Sequence, residues 1–343
     1  MAKESVLVVC PGRGTYNAPE LGYLARHHAG HADLARFDAI RAEAGKDTLT
    51  ALDGAAKFQP SLHTRGDVAA PLIHAAAWCD FTAIDRDRFE VVAVTGNSMG
   101  WYTALACAGA LSPEHAFGVA DAMGVNSQKH APGGQMVLVL AGEDWRVDRA
   151  LADKVERAIA ESGARPSIRL GGMLVVAGDA PALAALEAAL PPLPRPPLHL
   201  AGNGPFHAAL MAPSAEAARA GLPLAWFGNP AVPMIDGRGA IWRPFASDPH
   251  ALWDYTFGAQ ILETYDFTAA MTVAIREFAP DRIVLLGPGE TLGGAIGQVL
   301  VGLRWQGIDS KARFQARQAS DPILMAMGRA DQRMRAHIPT RSS

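Results

Sequence analysis

Only 3 cysteines occur among 343 residues, and none are spaced as a C-x-x-C pair. Cys10, Cys79 and Cys107 each lie in an apolar run, which excludes a disulfide framework and favours small buried thiols. Charge is also sparse. Asp, Glu, Lys and Arg make up 19% of the chain, and the formal net charge is −3. Most of the chain has no dense Lys/Arg block, so nothing is available to neutralise a phosphate backbone, and nucleic acid is not expected as the main partner. No apolar stretch approaches membrane-spanning length, and the first one, Ser5 to Cys10, is too short for the apolar region of a signal peptide. A soluble, cytoplasmic protein with no membrane partner is therefore expected. The absence of an H-E-x-x-H motif and of any cysteine–histidine cluster argues against a metal.

Apolar residues, by contrast, are plentiful. They form 49% of the chain, ample for a large interior. Ser5-Val-Leu-Val-Val-Cys10 is a continuous run ended by Pro11-Gly-Arg-Gly14, which predicts a buried strand followed by a tight loop. From Glu20 to Asp80 the pattern is mostly helical. Phe89 to Thr95 is a second buried strand, and a small-residue helix follows from Trp101 to Gly109. Strand, glycine turn and helix in that order predict an α/β fold with a parallel sheet.

The texture changes after Lys129. Strands are predicted at 135–140, 167–170, 172–178 and 198–200, with helices at 145–161 and 180–190. That order, β-α-β-β-α-β, is the ferredoxin-like arrangement. Core-like strands return at 232–235 and 282–286. The expected organisation is a hydrolase-like α/β core over 1–128 and 201–310, an inserted ferredoxin-like subdomain over 129–200, and a basic helical tail over 311–343.

Gly96-Asn97-Ser98-Met99-Gly100 falls between the second strand and its helix. A nucleophile on a sharp strand-to-helix turn needs small neighbours on both sides, and the helix N-terminus favours developing negative charge. The plainer reading is that Ser98 only caps the helix. A serine hydroxyl needs a base. Of 11 histidines, His27, His28 and His31 lie in a polar helical stretch, His63 and His115 near helix ends, and His337 in the tail. His207 differs, because it follows the loop Gly202-Asn-Gly-Pro-Phe206 and precedes an apolar helix start.

Taken together, these motifs resemble the malonyl-CoA:acyl-carrier-protein transacylase family, which includes polyketide-synthase acyltransferase domains. Pro11-Gly-Arg-Gly14 stands for that family's Pro-Gly-Gln-Gly loop, and Gly96 to Ser112 is similar to its elbow and helix, GHSLGEYAALVAAGALS. Gly204-Pro-Phe-His-Ala-Ala-Leu-Met211 is similar to AFHSPLM, and Gly287-Pro-Gly289 to a late Gly-Pro-Gly turn. The resemblance implies Ser98 as acylated nucleophile, His207 as general base, and the main-chain carbonyl of Gln260 orienting the histidine in place of an aspartate. It implies an oxyanion hole from the backbone N–H groups of Arg13 and Met99. It also implies an acyl-CoA substrate with no separate cofactor, and an acyl carrier protein partner in fatty-acid or polyketide synthesis.

The chain departs from the family at three acyl-binding positions. Met123 stands where malonyl-selective members have a carboxylate-pairing arginine, Asn97 replaces a histidine, and Arg65 falls at a pocket-edge glutamine. Burying a carboxylate without its partner costs about 3–5 kcal/mol, so a small uncharged acyl group is expected over malonyl. Phe206, a bulky ring before His207, supports an unbranched unit. The counter-reading is that Arg13 or Arg65 restores a cation from another wall. Other readings stay open: an acyl-carrier-protein hydrolase using the same Ser98–His207 pair, a patatin-like lipase using Asp236 in a Ser–Asp dyad, and a binding subunit without catalysis. The basic segment from Lys311 to Arg341 offers cations to steer an acidic carrier protein, although a solvated helical face explains them equally.

Overall fold

A computed structural model describes residues 2–129, 132–200 and 202–337. The chain begins with β1 (Glu4–Cys10), passes through five short or medium helices between Tyr23 and Thr82, and returns as β2 (Phe89–Gly96). β1 and β2 pair in parallel, with Val8 opposite Val94. Val6 to Cys10 have no exposed surface, as an apolar run covered on both faces requires. The helix Gly100–Cys107 leaves β2 and is buried at every position. The helix Pro113–Lys129 then packs against Gly66–Thr82. A Cβ at Gly66 would lie 2.5 Å from the carbonyl oxygen of Gly124, so the two helices approach backbone to backbone.

The next segment has its own sheet: β3 (Gly134–Val139), β4 (Arg165–Leu170), β5 (Met173–Gly178) and β6 (Leu198–His199), in the order β6-β3-β5-β4. Met136, Leu138, Leu174 and Val176 point to one face and pack with Val155, Ile159 and Leu186 from its two helices. The first helix spans Arg149–Ser162, not 145–161. Asp148 caps it by accepting from Leu151 N–H, while Trp145 sits in a left-handed turn at φ 67°. This is the expected ferredoxin-like unit.

Beyond it come β7 (Met234–Ile235), β8 (Ile241–Trp242), β9 (Tyr265–Asp266), β10 (Arg282–Leu285) and β11 (Leu324–Ala326). The core sheet has the order β11-β10-β1-β2-β7-β8 and is parallel except for β8. β9 joins the other sheet, parallel to β4 with Ile168 opposite Tyr265. The core chain thus stitches itself to the inserted unit just after Gln260.

The segment from Lys311 differs from a basic helical tail. β11 is the edge strand of the core sheet, between helices Lys311–Ser320 and Ala330–Ala336. Several of its cations have acidic partners: Arg317 with Asp321, and Arg329 with Glu290 and Asp331. Arg341 and the rest of 338–343 lie outside the described residues, as do 130, 131 and the expected boundary position 201. No described helix is long and apolar enough to cross a membrane.

Arg333 is buried and reaches Asp80, a fully buried carboxylate on the helix Gly66–Thr82, at 2.6 Å. Asp80 also accepts from Tyr23 Oη and Gly287 N–H, both at 2.7 Å, and lies 2.8 Å from His28 Nε2. Burial alone would raise the Asp80 pKa, but the His28 hydrogen bond and the Arg333 charge hold it below its ordinary value. One carboxylate therefore ties together the first helix, the Gly-Pro-Gly turn and the last helix. Arg333→Ala removes its main countercharge and is expected to lower stability by about 3–5 kcal/mol. Urea unfolding measures this, and a loss below about 1 kcal/mol would show that the cluster relaxes around the missing guanidinium.

Candidate active site

Ser98 lies at the carboxyl end of β2, where β2 turns into the helix Gly100–Cys107. Its backbone is left-handed, φ 54°, a conformation that stores roughly 1–3 kcal/mol in a residue other than glycine. The flanking glycines make the turn possible. A Cβ on Gly96 would strike the Gly100 carbonyl, and a Cβ on Gly100 would strike the carbonyl oxygens of Cys10 and Pro11. Asn97 N–H donates to Cys10 O at 3.0 Å, and Tyr265 Oη donates to Gly96 O at 2.7 Å. The hydroxyl of Ser98 is thus held at the start of a helix whose dipole favours negative charge.

His207 meets it from the loop after β6. Its Nε2 is 2.7 Å from Ser98 Oγ, and its Nδ1 is 2.7 Å from the main-chain oxygen of Gln260. A carbonyl only accepts, so Nδ1 carries the proton and Nε2 is left to accept from the serine hydroxyl. Burial pulls the imidazole pKa down to about 4, partly opposed by the Gln260 hydrogen bond. The ring is therefore neutral near pH 7, as a general base must be.

The histidine's own backbone is left-handed, φ 56°, and the inserted unit holds it there. Ser167 Oγ donates to Phe206 O at 2.7 Å and lies 2.6 Å from Gln135 Nε2, while Asn203 Nδ2 donates to Gln135 Oε1. Gln260 contributes its side chain as well. Nε2 donates to Ser98 O at 3.1 Å, and Oε1 accepts from Tyr102 Oη at 3.0 Å.

A cavity of about 60 Å³ opens beside this pair. Its walls include Arg13, Met99, Met123, Phe206, His207 and Gln260. Among the described residues no protein acceptor takes the N–H of Arg13 or of Met99, so both amides remain available beside Ser98. The Arg13 side chain donates to Thr64 O at 2.9 Å and stacks over Phe206, 5.2 Å from the ring centre. Burial lowers its pKa to about 10, which leaves it charged at neutral pH.

Two expected acyl-binding residues lie elsewhere. Arg65 is exposed and pairs with Asp67 at 2.5 Å, because it precedes the helix Gly66–Thr82 and turns to that helix's first acid. Asn97 is buried behind the elbow against Gly12 and does not line the cavity. Successive residues of a sharp turn point apart, so Ser98 faces the cavity while Asn97 is turned away from it. Asp236 is fully buried and accepts from Arg238 and Ala240 N–H and from Trp242 Nε1. It closes a hairpin turn between β7 and β8, which leaves a Ser–Asp dyad without support.

Sequence reasoning missed Tyr102, Tyr265, Ser127 and Ser214. Tyr102 lies one helical turn after Ser98, a local signal that was available. Ser214 lines the cavity, and its fully buried Oγ has no hydrogen-bond partner among the described residues. Nothing local marks it.

No protein-family model matches the chain, and no curated protein matches it. Solved structures do. An acyl-carrier-protein S-malonyltransferase from Burkholderia pseudomallei 1710b superimposes with TM-score 0.75 at 20% identity, covering 97% of this chain and 99% of that one. A malonyl CoA-acyl carrier protein transacylase from Coxiella burnetii gives 0.75 at 17% identity, covering 98% and 97%. A malonyl-transacylase solved in complex with a type II PKS acyl-carrier protein gives 0.74 at 20%, covering 98% and 99%. At these identities the similarity shows a shared fold along nearly the whole chain.

The buried imidazole sets a pH profile. His207 is deprotonated, and competent as a base, above its lowered pKa. Modification of Ser98 by a sulfonyl fluoride is expected to hold a plateau through neutral pH and to fall only near pH 4, the region of the lowered pKa. Intact-mass kinetics measure it. An acid limb near the ordinary histidine value of about 6.5 would show that the ring is not held in this dry setting.

Proposed function

We propose that the chain is an acyl-CoA:acyl-carrier-protein S-acyltransferase of malonyltransferase type, working through acyl-Ser98. The observation that carries the reading is the relay from Ser98 Oγ through His207 to the Gln260 carbonyl, with both contacts at 2.7 Å, on the wall of a small cavity. Ser98 Oγ attacks the thioester carbonyl carbon while its proton passes to His207 Nε2. In this reading the resulting oxyanion is stabilised by the N–H groups of Arg13 and Met99, which have no protein acceptor among the described residues. Collapse expels the coenzyme A thiolate, which takes the proton back from His207. In the second half-reaction the phosphopantetheine thiol of a carrier protein gives its proton to His207 and attacks acyl-Ser98, regenerating the free hydroxyl. His207 switches between base and acid, and the Gln260 carbonyl stabilises the imidazolium without itself being charged.

The malonyl and carrier-protein elements of this reading are supported by the names of solved structures with the same fold. A preference for an uncharged acyl group gains no such support. The cavity's small size favours a unit of a few heavy atoms. Incubation with malonyl-CoA is expected to add one malonyl mass to Ser98, and holo carrier protein is expected to remove it as malonyl-carrier. Ser98→Ala should abolish labelling, and His207→Ala should slow it by about 10²–10⁴-fold. If acyl-Ser98 decays to free acid equally fast without a carrier, the protein is a hydrolase instead.

A further inference from the structure

Among the described residues that line the Ser98 cavity, Arg13 is the one permanently charged side chain. It comes from the loop after β1, and its surroundings leave most of it unused. A guanidinium has five N–H donors. One of them meets Thr64 O, and the flat face rests on Phe206. No carboxylate among the described residues pairs with it. By contrast Arg65, Arg317, Arg329 and Arg333 all have acidic partners. The same cavity contains the unpartnered hydroxyl of Ser214. An alkyl acyl chain would leave both groups facing hydrocarbon. Met123, on the helix Pro113–Lys129, lines the same cavity and brings no charge to it.

We propose that Arg13 is the residue that selects the acyl group: its guanidinium pairs with the free carboxylate of a short dicarboxylic acyl thioester such as malonyl. This rests on the Ser98 transferase reading and deepens it. Bidentate pairing suits the planar fork of arginine, and Phe206 and Thr64 hold that fork in place before substrate arrives, so little side-chain freedom is lost on binding. Arg13 then has two roles through different atoms. Its backbone N–H faces the thioester oxygen, and its side chain holds the far end of the same small acyl group. A substrate lacking the carboxylate would bury an unpaired cation on binding, which is a barrier to acetyl and to longer alkyl groups.

The test compares Ser98 acylation by malonyl-CoA and acetyl-CoA, which carry identical phosphates, in the wild-type chain, Arg13→Gln and Arg13→Lys. Sulfonyl fluoride labelling of Ser98 confirms an intact site in each variant. The wild type is expected to favour malonyl, and Arg13→Gln should cut the malonyl-to-acetyl rate ratio by on the order of 100-fold. Arg13→Lys should restore part of that ratio, since charge returns without the fork. An unchanged ratio in Arg13→Gln would overturn the proposal, and two rates falling together would assign Arg13 to the coenzyme's phosphates instead. A wild type that favours acetyl would overturn it as well. If neither donor acylates Ser98, the transferase reading fails and this inference falls with it.

Discussion

At Gly100 the backbone of the elbow helix rests on the carbonyl oxygens of Cys10 and Pro11 with no space for a Cβ. Most of the site's geometry follows from that contact. It brings the carboxyl ends of β1 and β2 together, which is where open parallel sheets place their ligands. It also forces Ser98 into a left-handed conformation and sets the amide of Met99 beside the loop that supplies the amide of Arg13. The strain at Ser98 persists because neighbouring bonds, from Asn97 N–H to Cys10 O and from Tyr265 Oη to Gly96 O, over-determine the turn.

The histidine depends on a different part of the chain. His207 also has a positive φ, and the loop that holds it is bonded to the inserted unit through Phe206, Ser167 and Gln135. The ferredoxin-like unit therefore acts as a support for the base, quite apart from any role in meeting a partner. β9 closes the arrangement. It pairs with β4 only a few residues after Gln260, whose carbonyl sets the imidazole tautomer. The His207 backbone and its Nδ1 are thus both referred to one sheet, while Ser98, on the Nε2 side, belongs to the other. The Ser98–His207 pair sits where the two sheets are stitched together.

The electrostatics divide along the same lines. Asp80 and Arg333 are buried together with a full set of partners and serve the fold, holding the C-terminal segment onto the core. Arg13 is half-buried without an acid and lines the cavity. The buried pair is a structural tie, whereas the guanidinium of Arg13 is left without a countercharge beside Ser98. The distinction separates two arginines that look alike in composition.

Strands with long apolar runs, the ferredoxin-like order and the glycine-flanked serine were legible in the sequence, because each is a constraint acting over a few neighbouring residues. A covered strand must be apolar throughout, and a nucleophile turn must have small flanks. His207 stood out by its loop, but its role as base, like Gln260, came through family resemblance rather than periodicity. Long-range packing settled the rest. β11 is three residues of an otherwise polar, basic segment, and only its pairing with β10 makes it part of the sheet. His28 read as one of several polar histidines, yet Asp80, 52 residues away, draws it inside. Arg65, Asn97 and Arg13 all looked like candidates for the acyl pocket. Asp67 draws Arg65 outward, the elbow turns Asn97 behind itself, and Phe206 with Thr64 holds Arg13 at the cavity. Local backbone requirements can be read from neighbours in the chain, but the direction of a long side chain is decided by whichever partner the tertiary fold brings within reach.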